Sequence, residues 1–209
     1  MADDVDAQQF LAQIQNNPDT FFSQNTVYWM CASSSAGGPS LSNFRVRRHD
    51  SQVEHYSSGM LGLFGGWNAG GHSYEVVPDG AGAAQGYFLP WKEDSGYSAV
   101  LAGQAQFFMN AMMDGCSFGC VAGPNNSVRV AHHNIQGADG GTDHQAMTGT
   151  LSAFGYQHTF KRNDYRTLGN GQGYGFVTGV RVGGAWRIYA QAVYFAQGRE
   201  RIASCRRLL

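Results

Sequence analysis

Cys116 and Cys120 stand four positions apart in "DGCSFGC" (114–120), and His132 and His133 sit side by side in "VRVAHHN" (128–134). Thiols and imidazoles this close in sequence support three chemistries: a metal centre, a disulfide loop, or a cysteine nucleophile with a histidine base. Mixed Cys and His zinc sites typically use Cys pairs about two to four residues apart and His pairs about three to five apart. The first spacing fits and the second fails. If "VRVAHHN" is a strand, adjacent side chains point to opposite faces, so His132 and His133 cannot converge on one ion. "DGGTD" (139–143) shares only composition with a calcium loop, since it lacks the carboxylate series and the terminal Glu. No metal and no cofactor is expected.

A disulfide between Cys116 and Cys120 needs Cα atoms within ~4.4–6.8 Å, so the turn between them would have to fold back. Such a bond would block the thiol outside a cell and release it in a reducing cytosol. An extended chain instead holds the pair ~13 Å apart. A strand over "CSFGCVAG" is the simpler reading.

A cysteine nucleophile needs an imidazole within hydrogen-bond reach and backbone amides placed for an oxyanion. Gly115, immediately before Cys116, lets the chain turn sharply and bares its amides. A His-paired thiol is also expected to be ionised near neutral pH, and so to alkylate faster than the other cysteines. His133 reads as structural, and His144 as a loop residue in "TDHQ". Cys31 and Cys205 read as a core and a tail residue. Met109, Met112 and Met113 read as core filling.

These side chains need elements to bring them together. "CVAG-PNNS-VRVAHHN" predicts a hairpin whose second strand returns a histidine beside the thiol. "DDVDAQQFLAQIQNN" predicts an amphipathic helix with Val5, Leu11 and Ile14 on one face, ended by "NNPD". "TVYWMCA" (26–32) reads as a buried strand, and 41–99 as short strands with Gly-rich turns. "SAVLAGQAQFFMNAMM" (98–113) is the longest apolar segment and predicts a helix. The region 135–175 reads as polar loops, and "FVTGVRV" and "WRIYAQAVYFA" as two further apolar elements. The fold expected is α+β: a single domain over 1–209, with mixed, mostly antiparallel, sandwich-like sheets flanked by helices.

Composition narrows the function classes. Charged residues make up 14% of the chain and the formal charge is -1, which offers no general attraction for nucleic acid or anionic membranes. The basic runs "RVRRH" (45–49) and "GRERIASCRRLL" (198–209) read as solvated surface or a frayed end. No stretch approaches the ~20 apolar residues of a membrane helix. The acidic start "MADDVDAQQF" is unlike a secretory signal, which leaves needle-type or contact-dependent export open. Four scattered cysteines are too few for a disulfide framework, so reduced thiols are expected; the protein is also expected to be a monomer.

From "GYFLPWK" through "AQFFMNAMMDGC" and "AGPNNSVRVAHHN", the chain resembles the Burkholderia lethal factor-like family of glutamine-deamidating toxins. More distantly it is similar to the catalytic domains of cytotoxic necrotizing factors. The features in common are "LPWK" (89–92), "FF" (107–108) before a Gly-Cys, a turn after "AG", a His after a short alternating strand, and "VTG" (177–179). The resemblance implies Cys116 as nucleophile and His132 as base. The third element lies six residues before the cysteine, at Asn110, or at Met109 with one insertion. It implies oxyanion and substrate contacts at Gly115 and Ser117. Trp91 is a candidate for the site mouth, with a packing corner as its other reading. Asp114 replaces a serine of the family and would raise the thiol pKa unless it points outward or pairs with a base. The implied partner is a folded host protein: a translation-initiation RNA helicase, or alternatively a Rho-type GTPase. Other Cys–His acyl transfer, proteolysis, and a non-enzymatic Gly/aromatic binding module are the rival classes.

Overall fold

The structure is a computed structural model, and it describes residues 2–29, 38–57, 66–166 and 172–209. Strands account for 56% and helices for 18%, so both element types are present with the weight on β. The chain opens with β1 (Ala2–Val5), α1 (Ala7–Asn16) and α2 (Pro18–Gln24). β2 (Thr26–Trp29), β3 (Ser40–Ser57), β4 (Gly66–Pro78) and β5 (Ala84–Leu89) follow. β6 (Ser95–Leu101), β7 (Phe107–Asn110), β8 (Ser117–Ala122) and β9 (Val128–Asn134) carry the central region. α3 (His144–Ala153), β10 (His158–Phe160), α4 (Arg162–Tyr165), β11 (Tyr174–Val182), β12 (Ala185–Ala196) and β13 (Arg199–Arg207) complete it.

The larger sheet runs β13-β12-β11-β7-β5-β3-β4-β2. It is not an open layer: β13 also pairs in parallel with β3, Glu200 to Val53 through Ile202 to His55, and this closes a barrel. Glu54 lies at the closure and receives Arg199 and Arg201, each at 2.7 Å. Those arginines, Arg199 first, hold its carboxyl below the ordinary carboxylate range. The smaller sheet, β10-β8-β9-β6, is antiparallel throughout. A first core joins Phe10, Ile14 and Phe22 of the helices to Phe44, Phe107, Met109, Val180 and Tyr189 of the large sheet. A second core lies between the sheets. Leu89, Phe108, Val177 and Ile188 of the large sheet meet Phe118, Cys120, Val128 and Val130 of the small one.

Several expectations fail here for identifiable reasons. The helix expected over 98–113 is two strands, β6 and β7. β6 alternates intermediate and exposed residues from Ser95 to Val100, the period of a half-buried strand. β7 is buried at all four positions, because Phe107 and Met109 enter the first core and Phe108 the second. An apolar run buried on both faces has no periodicity by which to tell strand from helix. Val5 belongs to β1 and pairs with Val46. The helix begins only after Asp6, whose side chain accepts from the Gln9 amide. The carboxy-terminal run is the closing strand, with Ile202 and Leu208 buried. The region read as loops holds α3, β10 and α4; His144 is the first residue of α3, capped by Asp143. The hairpin is as expected, β8 and β9 flanking a short 3-10 turn over Pro124–Asn126. Thr26–Trp29 form the expected strand, whereas Cys31 lies outside the described residues. Among the described residues no helix is long and apolar enough to cross a membrane.

Candidate active site

The loop that carries Cys116 starts from a fixed rung. Met113 and Gly175 exchange two backbone hydrogen bonds of 2.9 Å, which ties the residue before Asp114 to β11. Gly115 then takes φ +117, a conformation that side chains disfavour, and Cys116 delivers the chain to β8. The Tyr165 hydroxyl accepts from the Gly115 amide at 2.9 Å and donates to the Cys116 carbonyl at 2.9 Å. Asp114 pairs with Arg166 and is half exposed. Its charge therefore has a cation beside it, which is one of the conditions under which an acid so near the thiol is tolerated.

Strand register brings the histidine to the thiol's side. His132 lies directly opposite Phe118, and Val130 opposite Cys120. Phe118, Cys120 and Val130 all enter the inter-sheet core, as does Cys116. Side chains two apart on a strand share a face, so Cys116 and His132 face the same way as diagonal neighbours across β8 and β9. Such diagonals are about 7–8 Å apart at the backbone, and among the described residues no hydrogen bond joins the Cys116 thiol to His132 Nε2. Ser117 and His133 are paired on the opposite face. His133 there lines an open cavity of about 540 Å³ with Tyr97, Arg129 and Tyr156.

Asn110 supplies the third member. It follows Met109 and shares the side of Phe108, and its Oδ1 lies 2.9 Å from His132 Nδ1. Its Nδ2 donates to the Ala111 carbonyl at 2.8 Å. The amide's orientation is thereby set, and Oδ1 accepts a hydrogen bond from Nδ1–H. His132 Nε2 then carries the lone pair. That nitrogen is buried and has no hydrogen-bond partner among the described residues, where buried polar atoms almost always have one. Of the two candidates for the third position, Asn110 contacts the histidine, while Met109 packs in the first core.

Burial sets the charge state. It lowers His132 to about 3, with the neighbouring His133 adding in the same direction. It raises Cys116 to about 12, opposed by a backbone hydrogen bond from Asp114 and reinforced weakly by the Asp114 charge. Between those values the resting pair is a neutral thiol and a neutral imidazole. This runs against the expectation of an ionised, fast-alkylating Cys116: the residue is only 7% exposed, and burial is the largest influence on its thiol.

The Gly115 amide donates to the Tyr165 hydroxyl. Ser117 is paired with His133, so its side chain lies on the face opposite that of Phe118 and His132. Trp91 lies just beyond Leu89, the pairing partner of Asn110, and packs against the first core. Cys116 and Cys120 are free thiols, and the extended β8 between them is the simpler of the two arrangements considered. Among the described residues, no three His, Cys, Asp or Glu side chains gather as a metal site would require.

Sequence reasoning missed Tyr165, Arg166 and Gly175. "RNDYR" carries no motif, and its relation to the cysteine spans about fifty positions. No known family model and no curated protein matches the chain.

Proposed function

We propose that the chain is a protein-glutamine deamidase, a hydrolase that converts one side-chain carboxamide of a host protein to a carboxylate and releases ammonia. The observation that carries this reading is the Asn110–His132 hydrogen bond, which leaves on the face of Cys116 a buried Nε2 with no partner among the described residues. A neutral base on the same face as a neutral thiol acts as a general base once the two meet over the substrate, with proton transfer coupled to attack. His132 Nε2 takes the thiol proton as sulfur attacks the carboxamide carbon. The amides of Cys116 and Ser117 stabilise the oxyanion. The imidazolium returns its proton to the departing nitrogen, and ammonia leaves a thioester on Cys116. Water, deprotonated by Nε2, hydrolyses the thioester and regenerates the thiol. Asn110 holds the imidazole in the tautomer that each step uses, as a third group commonly does.

The sandwich-like stacking of the small sheet on the barrel belongs to this reading, since it keeps His132 dry. So does delivery into a target cell's cytosol, where thiols stay reduced. The resemblance favours a translation-initiation RNA helicase as target, ahead of Rho-type GTPases. Peptide mapping of host-cell lysate proteins after exposure to the protein tests reaction and target together. One Gln-to-Glu conversion, absent with Cys116→Ser and His132→Ala, is the expected result. A shortened target would indicate proteolysis, and an effect that survives Cys116→Ser would indicate a binding module.

A further inference from the structure

We infer that Tyr165 is a positioning residue for the nucleophile, acting through its hydroxyl on the Gly115–Cys116 backbone. The inference rests on Cys116 being the nucleophile. Tyr165 is fully buried, and its hydroxyl is threaded between two consecutive backbone groups, accepting from Gly115 and donating to Cys116. No other side chain could replace this bridge by simple packing, because both ends are polar and buried. The bridge also turns the Gly115 N–H to Tyr165, which takes that amide out of any oxyanion site beside Cys116.

α4 is built to hold that hydroxyl still. The Lys161 amide donates to Asp164 at 2.7 Å, closing the helix start. Asp164 is paired with Arg206 of β13 at 3.1 Å. The Tyr165 ring lies 5.4 Å from that of Phe160, and Gly175 packs so closely that an added Cβ would come within 3.0 Å of it. Arg166, the next residue, grips Asp114. The last residue of a four-residue helix and the cap that follows it thus hold three consecutive residues of the loop that carries the thiol.

The test compares Tyr165→Phe with Phe160→Leu. The readouts are Gln-to-Glu conversion in host-cell lysate and iodoacetamide alkylation of each cysteine against pH. Tyr165→Phe is expected to lower conversion about 100-fold, the loss that a displacement of about 1 Å produces. The alkylation midpoint of Cys116 should fall toward the ordinary thiol range, with Cys120 and Cys205 still protected. Phe160→Leu, which loosens packing and keeps the hydroxyl, should lower the melting temperature and leave the Cys116 profile unchanged. Wild-type conversion and an unchanged Cys116 profile in Tyr165→Phe would overturn the inference. So would a variant in which all three thiols open together, since that describes packing alone. Conversion that persists in Cys116→Ser would overturn the deamidase reading itself, a separate outcome.

Discussion

The histidine at the centre of the site makes the protein acid-sensitive in a defined window. His132 ordinarily titrates near 6.5 and is held at about 3 in the folded state. The unfolded chain therefore takes up a proton first as pH falls. Stability from this residue is complete above about pH 6.5 and is lost progressively toward pH 3. The shift corresponds to something on the order of 5 kcal/mol, large against the stability of a typical domain. His132→Gln should flatten that part of the pH–stability curve in urea titrations; a wild-type slope in the variant would place the acid sensitivity elsewhere. The thiol behaves in the opposite sense. Cys116 is raised from 9.0 to about 12, so its contribution is present below pH 9 and disappears as pH rises through 12. For the same reason Cys116 in the free protein should alkylate slowly at neutral pH. Rapid neutral labelling with the fold intact would show that the buried, uncharged thiol described above is not the resting state.

Among the elements, β11 matters to the site through one missing side chain. A Cβ on Gly175 would approach Met113 Cε to 2.7 Å, Phe160 to 2.9 Å and Tyr165 to 3.0 Å. Gly175→Ala should cost about 1–3 kcal/mol through overpacking and should slow conversion, because two of those three neighbours adjoin the nucleophile loop. Gly149→Ala, in open space on α3, should instead be neutral or gain up to about 1 kcal/mol from helix propensity. Thermal melts and conversion rates of both variants check this; equal behaviour would refute it. The elements also show what was legible beforehand. The hairpin could be read because "GPNNS" marks a turn between two short apolar strands, and it returns a histidine near the thiol. The choice of Cys116, His132 and Asn110 came from the resemblance, and the Asn110 contact with His132 depends on the alternation of β7. β7 itself was misread because Phe107 to Asn110 are buried on both sides. Tyr165 left no local trace, since its role depends on where α4 docks. The basic tail looked solvated because the acids that receive it, Glu54 and Asp164, are distant in sequence.

At the scale of the whole molecule, the last strand does two jobs. β13 closes the barrel against β3, joining Arg201 to Glu54 across 147 positions. Its Arg206 holds Asp164, and so the helix that bears Tyr165. Pairings this distant make for slow, late assembly. A protein made from its amino end therefore carries Cys116 for some time before anything aims it. Ribosome-bound chains stalled before Arg199 are expected to alkylate at Cys116 as an unfolded thiol does, and a stalled chain that already protects this cysteine would contradict the coupling. A cell that manufactures the protein thus holds nascent chains in which Cys116 is already made while α4 still lacks the Arg206 that holds it.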